Sequence, residues 1–272
     1  MIPHVPTAAA VMTAPVGWLA NRFGIKKLLI TCVTGFTIAS MLCGIAQNIE
    51  EIVAFRIVQG MFGAALVPLS QTVMLQIYPP EQRGWAMSLW GMGVMIGPIM
   101  GPILGGWLTD NYTWRWIFFI NLPFGIATTL GLLFFMNETE GDSRLSFDWF
   151  GFAALSIGIG ALQLMLDRGE QLGWFDSTEI IVTSIVSATG FYFFIAHSLT
   201  TPKPFISIEI FRDRNFIIGL IFMFMCGVLL VASMALMAPF FQSVMGYPII
   251  EAGQLLATRG IGMALAMLTA GR

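Results

Sequence analysis

Trp90-Gly-Met-Gly93-Val-Met-Ile-Gly97-Pro98-Ile-Met-Gly101-Pro102-Ile-Leu-Gly105-Gly106 carries no charged side chain and approaches the roughly 20 residues that cross the hydrocarbon of a bilayer. Gly93, Gly97, Gly101 and Gly105 recur every four residues, which on a helix makes one nearly smooth stripe that another backbone can approach closely. Pro98 and Pro102 each remove an amide donor and crowd the preceding turn, so a kinked or locally loosened helix is expected there. An ordinary small-residue packing face shares the spacing, but the paired Gly-Pro steps and the closing Gly105-Gly106 set this stretch apart.

Similar apolar segments recur on both sides of it, at about 1–20, 28–47, 52–75, 85–108, 117–136, 149–167, 178–198, 216–242 and 251–272. The expectation is an all-α polytopic membrane protein of about nine transmembrane helices with no soluble domain left over. Composition agrees: 57% of the 272 residues are hydrophobic and 10% charged, and the mean hydropathy is +0.81. A net charge of -2 without a long basic run excludes a nucleic-acid partner. Cys32, Cys43 and Cys226 lie in apolar stretches without CxxC spacing, so they read as small apolar fillers rather than metal ligands or disulfides. The first positive charges, Arg22, Lys26 and Lys27, follow the first apolar run instead of preceding it, the wrong polarity for a cleaved signal peptide.

Alternate connections collect the positive charge. Arg22, Lys26, Lys27, Arg83, Arg144, Lys203, Arg212 and Arg214 fall on one side, Arg115 and Arg168 on the other, and the positive-inside bias makes the first side cytoplasmic. Trp18, Trp85, Trp107, Trp114, Trp116 and Trp149 sit near the expected interfaces, where an indole keeps its ring in lipid and its N–H wet. An acidic break at 137–148 follows five spans, and a Pro-containing break at 199–215 follows the next two. This divides the chain into a partial N-terminal bundle (1–136), a connector with a two-helix insertion (137–198) and a connector with the start of a second bundle (199–272).

Arg56 lies about one turn into the third span, and Gln59, Gly60 and Gly63 share its helix face. A charge in that position either faces protein or a watery cavity, where it wants a partner, or snorkels to the nearby interface. Arg259, about two turns into the last span, is a second candidate cavity charge. The acidic residues fall in loops or near span ends, Asp167 and Glu251 among them, so none is placed as a midplane proton carrier. His4 and His197 read as interfacial. The 18 Met and 23 Phe could line a pliable apolar pocket, or simply face lipid and fill helix contacts. No Walker A loop, HExxH helix or GxSxG elbow is present, so ATP-driven transport and familiar hydrolysis find no support, and neither a metal nor a cofactor is expected.

Taken together these motifs resemble the major facilitator superfamily, in its fourteen-helix drug:proton antiporter branch (EmrB/QacA type). Gly17-Trp-Leu-Ala-Asn21-Arg22-Phe-Gly24-Ile-Lys26-Lys27 resembles the family's loop motif after the second helix, although Asn21 stands where the family usually has aspartate. Arg56 through Gln59-Gly60 and Gly63 resembles the fourth-helix motif, and Gly97-Pro98 through Gly105-Gly106 the antiporter motif of the fifth. Trp114 to Gly125, Leu166-Asp-Arg-Gly169 and Phe211 to Phe216 are similar to markers of this branch.

The resemblance covers essentially the whole chain and aligns it with helices two to ten of a transporter roughly twice as long. It implies proton-coupled multidrug efflux across the inner (cytoplasmic) membrane, with Arg56 in the coupling step opposite an acidic residue of the family's first helix. The implied partners are small amphipathic or hydrophobic substrates, protons, the lipid bilayer and, for some members, a periplasmic adaptor and outer-membrane channel. A proton-coupled nutrient symporter and a non-transporting membrane scaffold or receptor are the alternatives; the antiporter-like Gly/Pro stretch speaks against the first.

Overall fold

The computed structural model describes residues 11–138, 141–142, 144–248 and scattered positions from 251 to 269, apart from the side chains at 98, 99, 102, 234 and 238. Its principal helices are α1 (Val16–Phe23), α2 (Ile25–Ile45), α3 (Ile49–Gly63), α4 (Leu66–Ile77), α5 (Arg83–Asn111), α6 (Trp116–Phe119), α7 (Asn121–Phe135), α8 (Trp149–Gly169), α9 (Thr178–Thr200) and α10 (Arg214–Pro239). No strand occurs among the described residues. Among the described residues six segments are long and apolar enough to cross a membrane: Ile25–Ile45, Ile49–Ile77, Trp116–Phe135, Trp149–Gly169, Thr178–Thr200 and Arg214–Val244. α5 is not one of these six, but its 29 residues rise about 43 Å, enough for a hydrocarbon core of about 30 Å. The chain is a multi-pass membrane protein. Of the span expected at 1–20, only the part from residue 11 is described; it holds a turn of helix at 11–13 and then α1. Most of the span expected at 251–272 lies outside the described residues.

Two expected spans are each divided in two. The helix expected over 52–75 breaks at residues 64–65, and that over 117–136 breaks at Ile120. Pro68 and Pro123 explain both: a proline lacks the amide that would bond four residues back, and its ring crowds that carbonyl, here on Ala64 and Phe119. The interruption is local, because Ala64 N–H still donates to Gly60 (2.9 Å) and Leu69 N–H to Ala65 (3.1 Å). α5, by contrast, runs as one helix through positions 98 and 102, so its two prolines do not divide it.

Polar and acidic residues at span ends act as caps. Asn48 accepts from Glu51 N–H (2.8 Å) while the Glu51 carboxylate reaches back to the Gln47 amide (2.9 Å), closing the N-terminus of α3 reciprocally. Asp148 caps α8 through Gly151 N–H (2.9 Å) and Asp213 caps α10 through Asn215 N–H (2.8 Å).

The described residues form two compact units. The first comprises the chain up to Leu69 with Phe118–Ile208, the second Ser70–Ile117 with the chain from Glu209 onward. In the first, α2 packs against both α3 and α7. Glycines make room for rings: a Cβ at Gly35 would lie 2.6 Å from Phe62, and one at Gly44 would collide with Phe119. α8 and α9 form an antiparallel hairpin whose backbones meet at Gly158 and Gly190. A Cβ on Gly190 would lie 2.7 Å from the Gly158 nitrogen, and Ser187 Oγ donates to the Gly158 carbonyl at 3.0 Å. Gly173 turns this hairpin in the left-handed region (φ 73°), and an Arg168–Glu179 ion pair bridges its ends. In the second unit, Trp90 of α5 donates its indole N–H to Ser70 of α4 at 3.0 Å.

Candidate functional site

The first unit holds a polar cluster among α2, α3 and the α6–α7 segment. Arg56 itself remains exposed, yet its guanidinium donates to Gln59 Oε1 (3.4 Å) and lies 4.8 Å from the centre of the Phe118 ring. Gln59 is only 5% exposed, with Cys43 Sγ 3.9 Å from its Oε1. The three-residue spacing from Arg56 to Gln59 therefore does place both on one face, with the amide inward and the cation outward. Among the described residues Arg56 has no ion-pair partner.

Deeper in the same unit, Ser40 is fully buried and ties α2 to the α6–α7 segment. Its hydroxyl donates to the Phe118 carbonyl (3.0 Å) and accepts from Asn121 Nδ2 (2.9 Å). The ring beside Arg56 thus belongs to a residue whose backbone is held by Ser40. Ser40 was not singled out from sequence and Asn121 only as part of the Trp114–Gly125 stretch, with no role read for it; their pairing across 81 positions leaves no local trace.

The loop motif binds the acidic connector that follows α7. Gly24, with φ 87°, makes the junction between α1 and α2, a conformation open mainly to glycine. Asn21 contributes its backbone carbonyl, which accepts from Asp142 N–H at 2.9 Å. Arg22 donates to the Leu145 carbonyl (2.6 Å) with its guanidinium 5.2 Å from the centre of the Trp18 ring. Lys26 donates to Leu133 O (3.2 Å), and Lys27 pairs with Glu138 at 3.8 Å, both side chains exposed. A Cβ on Gly141 would collide with the Arg22 carbonyl, so the connector lies directly on the motif. Gly17 is open: a Cβ there meets nothing within 4 Å among the described residues.

Asp148 anchors the far end of that connector. One of its oxygens accepts from Gly151 N–H and lies 2.9 Å from His197 Nε2, while the other accepts from Phe205 N–H at 2.9 Å. The two side chains are 12% and 23% exposed, so His197 is half-buried in this pair. Burial pushes the Asp148 carboxyl up, but the two amides and the imidazole outweigh it and hold the group below its ordinary value. An aspartate just before an apolar helix is a legible cap signal; its pairing with a histidine 49 residues away is not.

The glycine stripe of α5 is uncovered. A Cβ at Gly93, Gly97, Gly101 or Gly106 meets nothing within 4 Å, and one at Gly105 only touches Ile117 at 4.0 Å. The close helix contact expected there is absent among the described residues. Pro98 and Pro102 are described by backbone only, and Arg259 lies outside the described residues. An apolar cavity of about 310 Å3 does exist, between α8 and α9, lined by Phe150, Ala153, Ile157, Ile185 and Phe193 among others; none of the predicted site residues and no methionine lines it.

Comparison with known proteins gives this arrangement its context. The sequence matches the Major Facilitator Superfamily over residues 5–272. It is 41% identical over 262 residues to the multidrug export protein EmrB of Escherichia coli (strain K12), covering 96% of this chain and 51% of that protein. It is 40% identical to the fatty acid resistance protein FarB of Neisseria gonorrhoeae, covering 96% and 52%. The colistin resistance protein EmrB of Acinetobacter baumannii is 30% identical, covering 94% and 50%. The chain spans about half the length of the relatives it matches. With a match across almost its entire length and apolar helices that can cross a membrane, the chain belongs to the Major Facilitator Superfamily.

Proposed function

We propose that the chain is one stretch of a proton-coupled exporter of small amphipathic molecules, a drug:proton antiporter of the cytoplasmic membrane about twice its length. The observation that supports this most is the 41% identity, over 96% of the chain, to a protein named for multidrug export. Family membership favours transport over catalysis, and no cofactor enters the proposal. Residues 1–136 form part of the N-terminal bundle, 137–198 the connector and two-helix insertion, and 199–272 the start of the C-terminal bundle. Such bundles rock in turn around a shared midplane cavity. Proton entry drives substrate export, each charge crossing 100 mV releasing about 2.3 kcal/mol.

Arg56 is the fixed cation of the coupling step. Its position over Phe118, braced by buried Gln59, holds the guanidinium in place without neutralising it. A carboxylate opposite it stays ionised while paired, and protonation removes the attraction and releases the bundle. In this reading the carboxylate is the acidic residue that the resemblance assigns to the family's first helix. The glycine stripe of α5 receives a helix of the complete transporter, and Arg259 is a second cavity charge. The end of the first unit that carries the loop motif is cytoplasmic. A periplasmic adaptor and an outer-membrane channel would extend the export path.

The test uses the full-length transporter in proteoliposomes with an imposed pH gradient and a fluorescent amphipathic dye. Arg56→Ala abolishes substrate-dependent proton movement while insertion is unchanged. Wild-type coupling by that variant would reduce Arg56 to an interface anchor.

A further inference from the structure

The connector, the loop motif and the segment after α9 enclose a second cavity, of about 210 Å3, at the end of the first unit. Trp18, Arg144, Leu145, Ser146, Lys203 and Phe205 are among its walls. We infer that this cavity is a binding site for a phosphodiester group, supplied by the headgroup of an anionic phospholipid.

Charge comes first. Arg144 and Lys203 both line the cavity, both are exposed, and neither has an ion-pair partner among the described residues. The carboxylate in the wall, Asp148, is already committed: its two oxygens accept from two backbone amides and contact His197. Nearby Asp142 accepts from the Arg144 backbone amide (2.9 Å) and Glu138 pairs with Lys27, so among the described residues neither cation facing the opening has an ion-pair partner. Arg22 donates to the Leu145 carbonyl of the wall and lies over the Trp18 ring, bracing two of the lining residues.

Position and size then select the ligand. The cavity lies where α8 begins and α9 ends, two segments able to span a bilayer, so it sits at a membrane–water boundary. Trp18, whose indole N–H donates to the Ser146 carbonyl (3.2 Å), packs at a tilt against Phe147 with centroids 4.5 Å apart, and Phe147 packs on Phe205. These rings give one apolar flank for the start of a lipid chain beside a cationic flank for its phosphate. At about 210 Å3 the cavity is smaller than the roughly 300–1,000 Å3 typical of drug-sized ligands, so a headgroup fits it better than an export substrate. Occupancy would bridge the connector and the segment after α9 at Arg144 and Lys203, steadying the two-helix hairpin against the loop motif.

Native mass spectrometry of the purified chain in a neutral detergent tests this, with phosphatidylglycerol, phosphatidylcholine and inorganic phosphate as separate probes. Phosphatidylglycerol is expected to be retained over phosphatidylcholine, with inorganic phosphate bound more weakly than phosphatidylglycerol. Arg144→Gln with Lys203→Gln should lower phosphatidylglycerol retention at least tenfold, each basic residue near a membrane surface being worth about fivefold. Arg144→Lys with Lys203→Arg should preserve retention. Arg83→Gln with Arg212→Gln, the same charge change in the other unit, should also leave it unchanged. Inorganic phosphate bound as tightly as the lipid, and lost in the Gln pair, would uphold the anion site but assign it to a soluble ion. Equal retention of the two lipids, or phosphatidylglycerol retention unchanged in the Gln pair, would overturn the site.

Discussion

Replacing Asp148 with alanine removes, in one step, the acceptor that joins the start of α8, the end of α9 and the segment at Phe205. Three losses follow from the geometry. The cap on Gly151 N–H at 2.9 Å is worth about 1 kcal/mol. The Phe205 amide, also at 2.9 Å and part-buried, loses its acceptor at a cost of about 1–3 kcal/mol. His197 loses the carboxylate 2.9 Å from its Nε2. A destabilisation of about 2–4 kcal/mol is expected, since the three contacts share one side chain and do not add fully. Asp148→Asn keeps an oxygen for one amide but turns an NH2 toward another donor, so it should cost about half as much. Burial raises the native carboxyl's pKa, yet the Gly151 and Phe205 amides and His197 bring it below the usual value of about 3.9. A pKa depressed in the folded state contributes stability that is complete above about pH 3.9 and is lost as pH falls through the folded-state value. Unfolding of the chain in mixed micelles of rising dodecyl sulfate content, followed by near-UV circular dichroism, measures the difference. A loss below about 0.5 kcal/mol for the alanine variant, or an Asp–Asn difference that persists unchanged below the folded-state value, would refute the proposed role of this carboxylate.

Gly190→Ala should destabilise the α8–α9 hairpin by about 1–3 kcal/mol in the same assay, because its Cβ would fall 2.7 Å from the Gly158 backbone; an unchanged midpoint would contradict that contact. Gly101→Leu, at a position where a Cβ meets nothing within 4 Å among the described residues, should leave the stability of this chain within about 0.5 kcal/mol of wild type, yet abolish or uncouple efflux in the complete transporter. Tightly coupled transport by that variant would remove α5 from the mechanism. Arg56→Lys should restore coupled efflux only partly relative to Arg56→Ala, since a lysine cannot keep the planar donor fork that meets Gln59 and lies over Phe118; dye-driven proton flux reads this directly. Single cysteines at Glu50, Asp110 and Gln171 should react with an impermeant reagent added outside intact cells, whereas those at Lys26, Arg83 and Arg212 should not; the reverse pattern would overturn the topology.

What the sequence alone determined is the class of the molecule and the course of its helices. Length and uninterrupted apolarity select a membrane span whatever its neighbours are, and a run such as 214–244 is legible for that reason. The Arg56–Gln59 pairing was also legible, because helix geometry places residues three apart on one face before any packing occurs. Even the divisions at residues 64–65 and at Ile120 trace to single prolines, Pro68 and Pro123, whose missing amides act on their own helix. Tertiary structure decided which faces meet. The regular stripe from Gly93 to Gly105 looked the best candidate for a close contact and is uncovered among the described residues, while Gly158 and Gly190, in no conspicuous repeat, bring two backbones together. Small residues permit an approach without requiring one; the partner's surface chooses. The same reason hid Ser40 with Asn121, Arg22 with Leu145 and Asp148 with His197: each joins segments 49 to 123 residues apart, and such bonds form only after packing has brought those segments together.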